Sequence, residues 1–132
     1  MYHIFISHAW NYSDAYNTVV NWLNEAQEEG KLTWTNYSVP EHDPVDANNT
    51  KKLQAALDAQ IKPASKVIVI SGMYAAYSDW INYEIDQSVN YGKYIIGLRP
   101  WGQERVPAKI TDNATVMVGW NKASLISAIT NG

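Results

Sequence analysis

Val67-Ile68-Val69-Ile70 is the most apolar strand-like run in the chain, and Tyr74-Ala75-Ala76-Tyr77-Ser78-Asp79-Trp80-Ile81-Asn82-Tyr83-Glu84-Ile85 follows it closely. A short continuous apolar run is typical of a central parallel strand that is covered on both faces. In the second segment, apolar residues four apart predict an amphipathic helix with a buried stripe of Tyr77, Ile81, Ile85 and Val89. Glu84 lies beside that stripe. It is either a solvated helix residue or a carboxylate whose protonation an active site controls, and periodicity alone favours the solvated interpretation.

The rest of the chain repeats this alternation of strand and helix. Apolar and β-branched residues predict strands at residues 2–6, 32–37, 67–70, 93–98 and 115–118. Helices are predicted from Asn11 or Ser13 to about Glu28, from Thr50 towards Pro63, from Tyr74 to the stop at Gly92, and from Asn121 through Ile129, with Gly30 ending the first. Such alternation implies an α/β fold: a five-stranded parallel sheet with helices on both faces, a three-layer arrangement. The length suits the flavodoxin-like strand order 2-1-3-4-5.

Length and composition predict one domain and argue against several classes of partner and site. The 132 residues are sufficient for one complete core. A net charge of -3 provides no long-range attraction to nucleic acid or to an anionic membrane. The absence of cysteine excludes disulfides, thiolate nucleophiles and cysteine-based zinc sites, and it suits a cytoplasmic protein. We expect no secretory signal and no membrane span, since no apolar run approaches the roughly 20 residues that a bilayer requires.

The predicted strand order places one group of unusual residues at a common edge. In a flavodoxin-like sheet, ligands bind beyond the carboxyl ends of the strands, near the switch point between strands one and three. The residues that follow these strand ends are Ser7, His8 and Trp10, the proline-rich and acidic loop of residues 38–49, Ser71 and Gly72, and Arg99 and Trp101. The sequence therefore predicts a binding site at this edge.

Two segments resemble the TIR domain superfamily, and most closely the ThsB-type proteins of bacterial Thoeris antiphage defence. Ile4-Phe5-Ile6-Ser7-His8 resembles the first TIR box, an apolar strand that ends in Ile-Ser. Ser71, Tyr74, Ser78, Trp80 and Glu84 keep the spacing of the TIR segment Ser-x-Trp-Cys-x-x-Glu, with Ile81 in place of the cysteine. The resemblance covers nearly the whole chain, puts residues 37–49 in the place of the BB loop, and fades near Val106 and Pro107.

The resemblance implies that Glu84 is the catalytic glutamate of an enzyme that cleaves the nicotinamide–ribose bond of NAD. NAD would be the substrate, and no cofactor is implied. Ordinary glycoside hydrolysis needs an acid for the leaving oxygen, but nicotinamide leaves NAD as a neutral molecule and needs none. The group that attacks the ribose decides the product. Attack by water would yield ADP-ribose, attack by an atom of the same molecule would yield a cyclic isomer, and attack by another small molecule would yield a conjugate. Because ThsB-type proteins make signals, we expect a diffusible ADP-ribose derivative that acts on a separate effector.

The other residues at this edge each have a structural alternative. Ser7 and His8 either contact ribose or phosphate or form the turn at the strand exit. The rings of Trp10, Tyr37, Tyr74 and Trp101 either stack on adenine or nicotinamide or belong to the core and its rim. Arg99 and Arg105 either pair with the pyrophosphate or are solvated. No metal site is expected, because Glu41, His42, Asp43 and Asp46 lack a fixed ligand spacing.

One further function competes with the enzyme hypothesis, and two others are discounted. Many TIR domains bind only other TIR domains, so a scaffold that associates with itself or with a partner is the alternative. A phosphoacceptor receiver domain would need acidic residues where this chain has Ser7, His8 and Ser71. A flavin or dinucleotide protein would need a glycine-rich phosphate loop after the first strand, where this chain has Ala9-Trp10-Asn11-Tyr12.

Overall fold

The computed structural model describes residues 1–7, 14–37, 50–71, 74–99 and 106–132. Its strands are β1 (Tyr2–Ser7), β2 (Trp34–Asn36), β3 (Lys66–Ile70), β4 (Tyr94–Leu98) and β5 (Val116–Val118). Its helices are α1 (Asp14–Glu28), α2 (Thr50–Ile61), α3 (Tyr74–Asn90), α4 (Ala108–Asn113) and α5 (Lys122–Asn131). The five predicted strands are confirmed, with small shifts of their ends. Helix α4 is absent from the sequence predictions, because six residues with Ile110 as the buried one form no periodic stripe.

The five strands form one parallel sheet in the order β2-β1-β3-β4-β5, which confirms the flavodoxin-like prediction. The chain moves outward in one direction from β1 to β2 and in the other direction from β3 to β5. Because crossovers between parallel strands are right-handed, this reversal places α1 on the opposite face from α2, α3 and α4. The helix contacts agree, since α1 packs against α5 while α3 packs against α2 and α4.

The central strands are the most deeply buried elements. All five residues of β3 are buried, and so are the last four residues of β1, Ile4 to Ser7. Ser7 is aligned with Val69 across the β1–β3 pair. Parallel strands covered on both faces exclude water from their side chains, so a polar group at this point of the sheet needs a partner within the protein or in a ligand.

Two glycines end their helices as the sequence predicts. Gly30 has a φ of 74° and Gly92 a φ of 66°, the left-handed region that glycine enters without a steric penalty. After α1, the Lys31 N–H donates to the Ala26 carbonyl and the Gly30 N–H to the Gln27 carbonyl. The same pair of bonds follows α3, and both are Schellman motifs that satisfy the last free carbonyls of a helix.

The buried face of α3 differs from the predicted stripe. Ile81 and Ile85 are buried, but Val89 is 47% exposed, so its assignment to the buried stripe is wrong. Each step of four residues overshoots a helical turn by about 40°, and after three steps the stripe has turned towards solvent. Ser88 takes the buried position instead, and Glu84 is only 3% exposed. The solvated interpretation of Glu84 is therefore also wrong.

Candidate functional site

Two buried polar side chains meet at the carboxyl edge of the sheet. Ser7 is the last residue of β1, and its Oγ donates a hydrogen bond of 2.9 Å to Oε1 of Glu84 on α3. Ser7 is fully buried and Glu84 is almost so. The contact joins residues 77 positions apart in the sequence, because α3 packs against β3, the neighbour of β1 in the sheet.

The surroundings of Glu84 favour its neutral form. Burial raises the pKa of the Glu84 carboxyl to about 8, and the hydrogen bond from Ser7 opposes this shift. Among the described residues, Glu84 makes no ion pair. A cation that entered the site would lower this pKa and restore the carboxylate, because an opposite charge nearby favours the ionised form. The group is therefore a carboxyl whose charge depends on what binds beside it.

Ser71 adds a third buried polar group at the same edge. It follows the last residue of β3 and stands two residues beyond Val69, which is aligned with Ser7. Strand geometry places the Cα atoms of Ser7 and Ser71 roughly 8 Å apart. Ser71 is only 4% exposed, and within the described part of the chain its Oγ has no hydrogen-bond partner. We group Ser7, Ser71 and Glu84 as the polar cluster of this edge: Ser7 and Glu84 are in contact, and Ser71 lies two residues beyond the register partner of Ser7.

Helix α3 is held in place by hydrogen bonds outside this cluster. The Tyr83 hydroxyl and the Gln87 amide both donate to Oδ1 of Asp58 on α2, at 3.0 and 2.8 Å. Burial, and after it the Asp58 carboxylate, raises the pKa of Tyr83 to about 12. The Ser88 hydroxyl donates to the Glu84 carbonyl oxygen at 2.7 Å. The two bonds to Asp58 join α3 to α2 and thereby restrict the rotation of the helix that carries Glu84.

Two other predicted site residues lie apart from the cluster. The Tyr37 ring packs against the His3 ring, with the ring centres 5.2 Å apart. His3 lies four residues before Ser7 on β1, which corresponds to about 13 Å along the strand. Arg99 follows β4 and is exposed, and its backbone N–H donates to the Val118 carbonyl. The structure therefore brings Ser7 and Glu84 into contact, with Ser71 at the same edge of the sheet, and places Tyr37 beside His3.

Several sequence predictions concern residues outside this description. His8, Trp10, Trp101 and Arg105 lie outside the described residues, as does the loop of residues 38–49 with its candidate metal ligands. Tyr74 is the first residue of α3. In the described ranges, no three histidine or acidic side chains converge as a metal site would require. The described helices include none that combines the length and the apolar character of a membrane span.

A separate groove is lined by fewer groups that could act in catalysis. It has a volume of about 530 Å³ and lies between β5 and α5, lined by Tyr94, Val116, Val118, Ala123, Ser124, Ser127, Ala128 and Asn131. None of these lining residues has a carboxylate, an amine or an imidazole. The Ser7–Ser71–Glu84 cluster is the stronger candidate, because only there does the described part of the chain combine a buried acid with a free hydroxyl.

The sequence matches the family described as Thoeris protein ThsB, TIR-like domain, over residues 5–105. Among solved structures, the chain is similar to the CMP N-glycosidase BcmB of Clostridium botulinum, with a TM-score of 0.59 and 14% sequence identity. That match covers 97% of this chain and 98% of the other, so the two proteins share a fold over their whole length. A comparison with curated proteins finds no match.

Proposed function

Because the chain belongs to the ThsB family of TIR-like domains, we propose that it cleaves the bond between nicotinamide and ribose in NAD. The observation that supports this proposal is the buried Glu84 carboxyl, which Ser7 contacts at the carboxyl edge of the sheet. A flavodoxin-like sheet binds its ligands at that edge. The structural likeness to BcmB agrees with the proposal, since the solved relative is named as an N-glycosidase.

The proposed reaction needs one carboxylate. The C1′–N bond of NAD breaks, its electron pair goes to the pyridinium nitrogen, and nicotinamide leaves as a neutral molecule. The ribose then carries the positive charge of an oxocarbenium ion, which an ionised Glu84 would stabilise in a site with little competing water. The positive charge of the bound nicotinamide ring would itself favour ionisation of the buried carboxyl. Water or a hydroxyl or nitrogen of a second group would then attack C1′ and lose a proton.

The product would serve as a signal. Members of the ThsB family belong to Thoeris defence, and the matched domain accounts for most of this chain. We therefore propose that the product is an ADP-ribose derivative, cyclic or conjugated, which a separate effector recognises during phage infection. Mass spectrometry of the product made from NAD would identify it.

The first experiment measures nicotinamide release from NAD by the wild-type protein and by Glu84→Gln. We expect the substitution to reduce kcat/KM by about 10²- to 10³-fold, the range in which a single electrostatic catalytic group contributes. Glu84→Gln keeps the size of the side chain, and its unfolding midpoint serves as the control for folding. Release that is unchanged in Glu84→Gln would refute the assignment of Glu84.

A second candidate function follows from the proton that Glu84 holds near neutral pH. A protonated buried carboxyl can donate to a leaving group, as nucleobase release from a nucleotide such as CMP would require. The two candidates predict opposite pH profiles. Cleavage of NAD needs the carboxylate, so kcat/KM should rise with pH and level off above about 8, where the carboxyl pKa lies. Nucleotide cleavage needs the acid, so kcat/KM should fall through the same range.

A scaffold without turnover is the remaining alternative. Self-association or binding of a partner would then occur with equal strength in the wild-type protein and in Glu84→Gln. The NAD and CMP assays should be repeated in extracts of phage-infected cells that express the protein, because signal-producing enzymes are controlled by their trigger. Absence of nicotinamide and cytosine release under both conditions would leave the scaffold as the function.

A further inference from the structure

We infer that Ser71 binds a hydroxyl group of the substrate ribose and thereby makes the site selective for ribose over deoxyribose. The inference rests on the proposed N-glycosidic substrate and specifies which part of it this side chain contacts. Its basis is the free Oγ of Ser71, which is buried at the carboxyl end of β3, two residues beyond the Val69 that is aligned with Ser7.

A buried hydroxyl without a partner is unfavourable unless a ligand or a water satisfies it. Leaving such a group unpaired typically costs about 1–3 kcal/mol, so most buried polar groups in proteins are paired. The other two buried serines follow that rule, since Ser7 donates to Glu84 Oε1 and Ser88 to the Glu84 carbonyl. Among the described residues, Ser71 is the buried serine whose hydroxyl has no protein partner.

The Glu84 carboxyl at the same edge favours a neutral polar group of the ligand over a phosphate. Phosphate recognition uses arginine, lysine or several backbone amides, and a phosphate would be repelled by an ionised carboxylate. In the described ranges Glu84 has no cationic partner that could offset such repulsion. A hydroxyl both donates and accepts, so a ribose hydroxyl can donate to the Glu84 carboxylate while Ser71 satisfies its remaining position. A ribose bound in this way presents C1′ to Glu84.

This arrangement predicts strong discrimination against sugars that lack the hydroxyl. A site built to hydrogen-bond a substrate hydroxyl rejects the analogue without it, because the polar groups of the site are then buried unpaired. A site that recognises ribose only by shape would lose much less affinity for the analogue. The selectivity should therefore decrease when the Ser71 hydroxyl is removed, while the contact of the ribose hydroxyl with Glu84 remains.

The test is a binding cycle in the E84Q background, which prevents turnover. Affinities for NAD and for its analogues lacking the 2′ or the 3′ hydroxyl of the nicotinamide ribose are measured with and without Ser71→Ala. We expect Ser71→Ala to weaken NAD binding by about 3- to 10-fold, the range of one neutral hydrogen bond. Binding of the analogue that lacks the hydroxyl contacted by Ser71 should change less than about twofold, since the two changes remove one interaction. An equal loss for all three ligands would overturn the inference.

A parallel cycle with CMP and its 2′-deoxy counterpart separates this inference from the proposed function. If NAD is neither bound nor cleaved, the NAD proposal fails, while coupling between Ser71 and the 2′ hydroxyl of CMP would still support the role of Ser71. If NAD is cleaved but the KM of Ser71→Ala is unchanged, the inference about Ser71 fails alone. Binding of neither ribose ligand would overturn both.

Thermal unfolding distinguishes a ligand-binding role of Ser71 from a structural one, because the two roles predict different changes of the unfolding midpoint. Ser71→Ala removes an unpaired buried hydroxyl and should keep or raise the unfolding midpoint in the absence of ligand. Ser88→Ala is the matched control, because Ser88 is equally buried but donates to the Glu84 carbonyl. Its midpoint should fall by a few °C, as expected for loss of about 1 kcal/mol. A fall of the same size in Ser71→Ala would show a structural partner and contradict the inference.

Discussion

Glu84 couples the chemistry of the site to the stability of the protein. Its carboxyl is buried with the Ser7 hydroxyl as its side-chain partner, and burial raises its pKa from the ordinary value of 4.5 to about 8. In the unfolded chain the same group ionises near its ordinary pKa. Between these two values the folded protein holds a proton that the unfolded chain has released, so folding and ionisation of Glu84 oppose each other.

We therefore expect the free energy of unfolding to decrease as pH rises from about 4.5 to about 8. Above pH 8, Glu84 should cause no further change. The unfolded state binds fewer protons in this window, so the slope is negative and approaches about 1.4 kcal/mol per pH unit. Urea unfolding at a series of pH values would measure it.

Glu84→Gln provides the control for this prediction, because glutamine has the same shape and does not ionise. The substituted protein should lose the slope between pH 4.5 and 8 and should exceed the wild type in stability at pH 8. Parallel pH curves for the two proteins would show that Glu84 is not the group responsible.

At the scale of the elements, helix ends and helix faces position the site. The Schellman motifs at Gly30 and Gly92 stop α1 and α3, and Asp58 ties α2 to α3 through Tyr83 and Gln87. Gly92 thus sets the end of α3, the helix that carries Glu84, and the bonds to Asp58 restrict its rotation. A helix rotated by one residue, or about 100°, would direct the carboxyl away from Ser7.

Gly30→Ala tests the first of these features. We expect a loss of about 1 kcal/mol in the free energy of unfolding, because alanine is strained at a φ of 74°. The midpoint of urea unfolding should fall while its slope stays constant. Gly30→Asn is the matched control, since asparagine tolerates the left-handed region, and it should lose less than Gly30→Ala. Equal stability of all three proteins would mean that the end of α1 does not depend on the left-handed residue.

On the scale of the whole molecule, the two edges of the sheet differ in role. Ser7, Ser71 and Glu84 lie at the carboxyl edge, whereas Lys66 begins β3 at the amino edge. Lys66 is buried, its ammonium lies 4.0 Å from the centre of the Tyr94 ring, and burial lowers its pKa. Among the described residues it makes no ion pair with a carboxylate. A buried charge with a ring as its main partner is poorly compensated.

Lys66→Met should therefore raise the free energy of unfolding at pH 7 by about 1 kcal/mol, because it removes the desolvated charge and keeps a long, unbranched side chain. Lys62→Met is the control: Lys62 is exposed and lies 5.5 Å from the Tyr91 ring, so its replacement should have little effect. Both variants should retain the kcat/KM for NAD of the wild type. A less stable Lys66→Met would mean that the contact with Tyr94 outweighs desolvation.

Much of the architecture could be predicted from local patterns. The apolar run of residues 67–70, the stop glycines and the alternation of strands with helices led to the observed strand order. Val89 and α4 could not be predicted in the same way. A four-residue repeat drifts around a helix, and a six-residue helix is too short to show a period.

For the site, the resemblance to TIR domains indicated Glu84, while periodicity favoured a solvated side chain. Tertiary structure decided that this carboxyl is buried, that Ser7 donates to it, and that Ser71 lies nearby without a partner. By itself, then, the sequence determined the order of elements, the fold class and the candidate acid, because these follow from short-range patterns and motif spacing. Only the tertiary structure decided the burial of Glu84, its charge state and the residues around it, because these depend on contacts between residues far apart in the chain.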